Sequence, residues 1–402
     1  MEAWLLEIAK GIGKFFLHPL VYWFLIVTFL ATYARIKRER RSFGSKVYPF
    51  FAEASQTLVL SLCAGVVLSL LAIGLGVVFS FPVLLLMTVI TVLVTVTGRF
   101  SWLSAAYTMG FTYLLLFLLP TLPAGTLPTG WQEAFKRVNV ISFTGILGLL
   151  IIIEAILMLQ LKRRNTFPEL VKGSRGKWIG QHRIKKIAMI PFFTLIPVGG
   201  IVPFASWWPI FPVGGESFGI LLLPILIGFE HVSKGTAPLK ASRRLGQSLL
   251  ILGFLTTGIA MAGYYFPILT LVSVAVAIIG REMISYQFKW KDGQKQPFFS
   301  PDEAGLLVLD VMSGTPGERL GLMPGERIIK ANGQVVINEQ QFYEALQINS
   351  TYCKLDIRDE RGELRFAQRA LYQGEHHELG IIFVEANYFK KNHISKGRKK
   401  AE

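Results

Sequence analysis

Apolar residues fill the first 280 positions in blocks too long and too uniform for the interior of a soluble domain. A bilayer core calls for about 20 consecutive apolar residues in a helix. The block from Phe15 to Ala34 meets that length, and further blocks at 57–80, 82–98, 102–119 and 138–161 each predict a spanning helix. Two Pro-rich stretches, Ile187 to Phe204 and Phe218 to Glu230, predict either two more spans or a re-entrant hairpin. Residues 248–280 form a single apolar run, too long for one helix and suited to a tight helical hairpin turning near Gly263. Ahead of the first block, Trp4, Leu5, Ile8 and Ile12 recur at helical spacing, which predicts a short interfacial helix within residues 1–14. No small-residue cleavage site separates that block from the basic run after it, so the block reads as an uncleaved anchor.

Past residue 280 the period changes. Residues 281–296 read as a linker, residues 297–389 as a small α+β domain, and residues 390–402 as a basic tail. Gly305 to Val311 (GLLVLDV) predicts a buried strand, followed by a turn at Ser313-Gly314-Thr315-Pro316 and a short helix ending near Gly321. A strand from Arg327 to Ala331 precedes Asn332-Gly333, a tight-turn dipeptide. Asn338 predicts the cap of a helix from Glu339 to Gln347, with Phe342 and Leu346 on its apolar side. A hairpin (Tyr352 to Asp359, Gly362 to Ala370) and a last strand (Leu379 to Glu385) complete the region.

Composition and charge sharpen this layout. The chain has 402 residues, of which 52% are hydrophobic and 17% charged, against roughly 25% charged in soluble domains. Such a composition excludes a disordered chain. Two cysteines, Cys63 and Cys353, exclude a disulfide scaffold and a cysteine-built zinc cluster. The net charge of +16 is unevenly placed: 24 Lys/Arg face 9 Asp/Glu in residues 1–280, while 18 face 17 in residues 281–402. The excess sits in the membrane part, which argues against a nucleic-acid partner. Twenty of those 24 basic residues fall in alternate segments: Arg35 to Lys46, Arg99, Lys162 to Lys186, and Lys234 to Arg244. By the positive-inside rule those segments are cytoplasmic, the N-terminus is outside, and the C-terminal domain is cytoplasmic. The expectation is a polytopic α-helical membrane domain over residues 15–280, with 7–9 helices, followed by a cytoplasmic domain.

No catalytic or metal site emerges. Gly215-Glu216-Ser217-Phe218-Gly219 matches G-x-S-x-G, but a nucleophile elbow needs a strand before it and a helix after it, and the preceding residues read as a Trp/Pro-rich turn. The six histidines (His18, His182, His231, His376, His377, His393) include no His-Glu-x-x-His spacing. Neither a Walker pattern nor a dinucleotide glycine fingerprint occurs, so no enzyme and no cofactor are expected. Glu154 is the clearest acid inside a span, read as a functional site, as snorkelling toward Lys162, or as one half of an interhelical pair. Pro197-Val198-Gly199-Gly200 recurs as Pro212-Val213-Gly214-Gly215, which fits either a transporter's broken helices or two turns of one hairpin.

Gly314-Thr315-Pro316, Gly321-Leu322, Pro324-Gly325-Glu326, Ile328 and Asn332-Gly333 together resemble the bacterial PDZ pattern G-S/T-P-A-x-x-A-G-L-x-P-G-D-x-I-x-x-x-N-G. Gly317 and Leu320 stand where the pattern has Ala, and Glu326 where it has Asp; these are packing and capping positions. The resemblance implies a small, partly open β-barrel that adds a peptide strand to a sheet edge and holds the peptide's carboxylate on loop N–H groups. Leu379, Gly380, Ile381 and Ile382 are the favoured loop, with Leu306, Leu307 and Val308 as an edge and Phe342 and Leu346 on the helical wall. Glu303-Ala304-Gly305-Leu306 is the alternative loop.

The run Phe15-Phe16-Leu17-His18-Pro19-Leu20, the exit Arg35-Ile36-Lys37-Arg38-Glu39-Arg40, and the order of spans before one terminal PDZ domain resemble the MinJ family of cell-division topological determinants. That resemblance implies an adaptor at septa and poles that links the scaffold DivIVA to the ATPase MinD, with other divisome proteins and a second copy as further contacts. Anionic membrane lipid is expected to attract the basic loops.

Overall fold

The computed structural model describes residues 2–123, 125–162, 165–173, 176–210, 217–301, 304–349, 351–371 and 379–384. Helix α1 (Glu2–Leu17) leads into α2 (Pro19–Phe43), followed by α3 (Ala52–Ser55), α4 (Leu58–Leu75), α5 (Phe81–Val96), α6 (Ala105–Leu118), α7 (Trp131–Lys136) and α8 (Val140–Leu159). Three strands come next, β1 (Phe167–Lys172), β2 (Trp178–Ile201) and β3 (Phe218–Ser233), and then α9 (Pro238–Ala262) and α10 (Ile268–Gly293). Among the described residues, α2, α4, α8, α9 and α10 are long and apolar enough to cross a membrane, and α5 and α6 are shorter apolar helices.

Local chemistry sets the helix ends. Proline is pre-set for the first turn of a helix, and His18 caps α2 by accepting from the Leu20 N–H through Nδ1 at 3.3 Å. The apolar block from Phe15 is therefore divided: Phe15–Leu17 close α1, and α2 continues through the basic exit until Gly44 ends it at φ +78°. Helix α1 does more than lie in an interface. Trp4 and Ile8 pack on Trp208 and Phe218, while Leu5 and Ile12 face outward. The apolar run 248–280 does form two helices, and α9 ends at Gly263. Residues 281–293, read as linker, instead continue α10, whose Arg281 is completely buried.

The largest departure from expectation lies between 187 and 230. Neither stretch is helical; they are the paired parts of β2 and β3, an antiparallel hairpin in register from His182↔Ser233 to Ile196↔Gly219. A backbone edge in an apolar setting needs partners for its N–H and C=O groups. On β2 the outward groups come from alternate residues, and α4 together with the residues flanking it supplies those partners. Thr57 Oγ1 donates to the Ile187 carbonyl at 2.9 Å, and the Phe193 N–H donates to Ser69 Oγ at 2.8 Å. The Leu195 N–H donates to the Val77 carbonyl, and the Phe79 N–H to the Leu195 carbonyl. Between them Pro191 has no N–H to satisfy, and its carbonyl packs so closely on Gly65 of α4 that a Cβ there would overlap it. Pro191 faces Pro224 across the ladder, so both strands lose an outward donor at the same height. On the β3 side, Gly11 of α1 lets that helix approach the Ile220 carbonyl. The hairpin and helices α4, α5, α6 and α8 share one core that includes Leu68, Phe79, Phe143, Ile190, Phe192 and Leu223.

After α10 come β4 (Leu306–Val311), α11 (Pro316–Arg319), β5 (Arg327–Ala331), β6 (Gln334–Val335), α12 (Glu339–Ile348), β7 (Tyr352–Arg358), β8 (Leu364–Ala370) and β9 (Ile381–Phe383). They form an open sheet ordered β8-β7-β5-β4-β9, with β6 paired to β5. Its core gathers Leu306, Val308, Leu322, Ile328, Phe342, Leu355 and Phe383. The last strand is shorter than its pattern suggests, and the basic tail at 390–402 lies outside the described residues.

Candidate functional site

Strand β9 pairs on one side with β4, through Val308↔Phe383, Asp310↔Ile382 and Val311↔Ile381. Among the described residues no strand occupies its other side, so β9 is one of the two edges of the sheet, with β8 at the opposite end. The expectation that Leu306, Leu307 and Val308 form an edge is corrected. Strand β4 lies inside the sheet, between β5 and β9. Leu306 and Val308 point into the domain core, and Leu307 points out of the opposite face.

The turn before β9 is built around Gly380. Its φ of +68° lies in the left-handed region, and a Cβ there would collide with the Thr315 side chain. The Met312 N–H donates to the Gly380 carbonyl and the Gly317 N–H to the Leu379 carbonyl, both at 2.8 Å. Those two bonds use the carbonyls on the motif side. Gly317, which stands where the PDZ pattern has Ala, now has a reason: a Cβ there would sit 2.6 Å from the Leu379 oxygen. Glu326, in place of Asp, accepts from the Met323 N–H at 2.8 Å and pairs with Arg365 at 2.6 Å. Asn332 donates to the Ala345 carbonyl and accepts from the Lys354 N–H, tying the β5–β6 turn to α12 and β7. Helix α12 is capped by Asn338, which accepts from the Gln341 N–H at 2.8 Å. It sets Phe342 edge-on to Phe383, ring centres 5.3 Å apart, with Leu346 buried beside it. Leu379, Ile381, Phe383, Phe342 and Leu346 thus share one core around the edge strand, and Ile382 alternates to the other face. Of the alternative loop, Glu303 lies outside the described residues, and Gly305 backs onto the Ile328 carbonyl.

That other face is a seat. Leu307, Leu309, Ile382 and Val384 pack with Val47, Tyr48, Phe167, Leu170 and Phe299. Strand β4 is therefore buried on both faces, which is why it reads as an unbroken apolar run. Tyr48 donates its hydroxyl to Asp310 at 2.9 Å. His182, buried on β2, places Nε2 3.0 Å from the Leu309 carbonyl and Nδ1 2.8 Å from Thr166 Oγ1, and stacks on Phe299. Burial pushes the His182 imidazole down to about 4, so it is neutral near pH 7. Gly180 admits Leu309, whose methyl group would lie 2.5 Å from a Cβ at that position.

Sequence reasoning missed the residues that hold this seat. Arg35 belongs to the basic exit, yet it is buried, pairing with Glu39 at 2.7 Å and Glu53 at 2.8 Å and donating to the Pro49 carbonyl. Glu39 in turn accepts from the Val47 N–H. Together they shape the loop that presents Tyr48. The signal available was Glu39 at i+4 from Arg35.

The remaining candidates resolve separately. Glu154 on α8 pairs with Arg281 on α10 at 3.1 Å, both completely buried, and accepts from Ser104 Oγ. Arg281 also donates to Ser285 at 2.6 Å. Glu154 is thus an interhelical ion pair, and Lys162 is not its partner. Within G-x-S-x-G, Phe218 and Gly219 open strand β3 where a nucleophile elbow needs a helix; Gly215 and Glu216 lie outside the described residues. Of the repeated Pro-Val-Gly-Gly motif, Pro197 to Gly200 belong to β2, and residues 212–215 again lie outside.

An open-edged sheet with a glycine turn, in a chain that also carries five helices long and apolar enough to cross a membrane, defines a membrane-anchored PDZ protein, and residues 307–356 match the PDZ domain family. The whole chain belongs to the MinJ family. It is 38% identical over 386 residues to the cell division topological determinant MinJ of Bacillus subtilis (strain 168), covering 95% of this chain and 96% of that protein. Probable MinJ proteins of Lacticaseibacillus paracasei and Lacticaseibacillus casei (strain BD-II) are each 24% identical over 373 residues, or 90% of this chain and 95% of theirs. No solved structure shows a significant match.

Proposed function

We propose that this chain is a non-catalytic membrane adaptor of division-site selection, which links DivIVA to MinD and restrains division at poles and used septa. The observation that carries the reading is kinship with a cell division topological determinant along nearly the full length of both chains. The open β9 edge and the glycine turn at Gly380 support a peptide-type contact made by strand addition, with Phe342 and Leu346 behind it. Anchoring by several helices confines that contact to two dimensions and raises its effective concentration. The placement of basic residues favours a cytoplasmic PDZ domain and an outer N-terminus.

A transporter reading rested on Glu154 and the repeated glycine motif, and the buried pair with Arg281 gives Glu154 a structural role instead. The test is imaging of a fluorescent fusion in dividing cells. The adaptor reading expects septal and polar enrichment that disappears when the polar scaffold is deleted. A uniform membrane signal at every stage of the cycle would remove it.

A further inference from the structure

The helical hairpin of α9 and α10 bounds an open groove of about 450 Å³ at its charged end, with Arg244, Ser248, Gln287 and Lys291 exposed along it. Its two walls are ordered in the same way. On α9, Arg244, Ser248 and Ile251 stand four and then three residues apart, which places them on one face. On α10, Lys291, Gln287 and Ile284 repeat that spacing in the reverse chain direction, as an antiparallel partner must. The groove therefore descends from a cationic rung through an amide and hydroxyl rung to an apolar rung, all within seven residues, or about 10 Å of helix. Leu245, buried, and Phe288 lie between the walls.

Cations outnumber acids at the mouth, with Arg244, Lys291 and Lys295 against Asp292. Lys295 lines it as well, donating to Thr236 Oγ1 at 2.9 Å. The one acid of the lining, Asp292, is engaged by backbone at one oxygen: its Oδ2 accepts from the Lys234 N–H at 2.7 Å and the Gly235 N–H at 3.1 Å, while its buried Oδ1 has no hydrogen-bond partner among the described residues. Among the described residues, neither Arg244 nor Lys291 makes an ion pair. At the other end Ile251 is 70% exposed, opening the apolar rung to the surroundings of two helices that are long enough to cross a membrane.

We propose that this groove is a binding site for one anionic glycerophospholipid. The phosphate lies between Arg244 and Lys291, the ester region meets Ser248 and Gln287, and one acyl chain runs over Ile251 and Ile284. Basic side chains that merely reach toward head groups explain the first rung. They do not explain a matched polar rung on both walls at the depth of the ester groups. Basic pockets between helices at a membrane surface are known sites for acidic head groups. The inference stands apart from the adaptor reading, since it needs only α9 and α10 to lie in the bilayer.

Native mass spectrometry of the full chain tests it, with phosphatidylglycerol and phosphatidylcholine supplied in equal amounts. One phosphatidylglycerol per chain should be retained at least tenfold over phosphatidylcholine. The double variant Arg244→Gln/Lys291→Gln should lower that retention at least fivefold. So should Ile251→Trp, which keeps every charge and fills the apolar rung. Arg40→Gln/Arg41→Gln, at an exposed basic site elsewhere, should leave it unchanged. Variants are compared at matched elution volume and thermal unfolding, so that loss of fold is not read as loss of lipid. Equal retention of the two lipids overturns the proposal, as does an equal drop in the Arg40/Arg41 variant. Displacement by millimolar glycerol phosphate would show a site for soluble phosphate esters and overturn it too.

Discussion

The Nε2 of His182 lies 3.0 Å from the carbonyl oxygen of Leu309, so a histidine on the membrane domain's longest strand is hydrogen-bonded to strand β4 of the PDZ sheet. A carbonyl only accepts, so Nε2 carries the proton, and Nδ1 is left to accept from Thr166 Oγ1. The neutral ring satisfies both bonds at once. A second proton on Nδ1 would turn the Thr166 hydroxyl from donor to acceptor and put a positive charge inside a buried site.

Acid should therefore loosen the seat. The imidazole is depressed to about 4 when docked, against about 6.5 in water. Undocked protein binds the proton first, so docking stability is complete above pH 6.5 and falls as the pH drops toward 4. The loss by pH 5 is about 2 kcal/mol. Spin labels at Arg40→Cys and Arg361→Cys, in a Cys63→Ser background, should report a widening distance distribution between pH 7 and pH 5. His182→Gln should flatten that pH response.

Tyr48→Phe removes the hydroxyl that reaches Asp310 without changing the ring that packs edge-on to Phe167. The expected cost is about 1–3 kcal/mol of docking. The same distance measurement should show a partly undocked population at pH 7, with thermal unfolding of the PDZ core unchanged.

Gly380→Ala forces an L side chain into a left-handed turn and against Thr315. Strain of about 1–2 kcal/mol falls on the turn that leads into the edge strand. Partner capture from solubilised membranes should drop about tenfold while membrane insertion is retained. Full capture by this variant would place the partner contact elsewhere on the protein.

Breaking the Glu154–Arg281 pair leaves one uncompensated charge among apolar helices. Arg281→Met alone should cost about 3–5 kcal/mol, and the double variant Glu154→Leu/Arg281→Met distinctly less. Thermal unfolding of the purified protein separates the two. A Glu154→Gln protein that stays folded yet shows a substrate-dependent growth defect would revive the transporter reading.

Gly65→Leu places a side chain where α4 meets the Pro191 carbonyl. Overpacking costs about 1–3 kcal/mol in a soluble core. The penalty here should be at the upper end, because neither the hairpin backbone nor the helix can yield without losing the Ser69 and Thr57 bonds. Gly74→Leu, on the same helix with open space around it, should be close to neutral.

Much of the PDZ domain could be read from residue patterns because its signals are local. Arg327–Ala331 is a strand over the expected residues, and Asn338 caps the helix that carries Phe342 and Leu346. The hairpin of β2 and β3 was hidden because a strand buried on both faces is a continuous apolar run, indistinguishable by period from a span. Only its prolines marked it. The mistaken edge at Leu306 to Val308 has a related cause. Unbroken apolarity reveals burial on two faces but not which strand lies next to which. Arg281 was counted with the basic flank, and nothing near it in sequence announces a partner 127 positions earlier on another helix.

Strand β2 runs from Trp178, beside the PDZ seat, to Ile201, beside α1, and its pairing is regular from Trp178 to Ile196 before the register shifts ahead of Ile201. A loop between those two regions would let each turn independently. A hydrogen-bonded ladder resists torsion along its whole length, so the PDZ domain cannot swivel relative to the opposite end of the molecule without twisting the hairpin. If the proposed contact at β9 holds, its partner would be kept at a set heading as well as a set height above the bilayer, with the hairpin as the shaft that keeps that bearing.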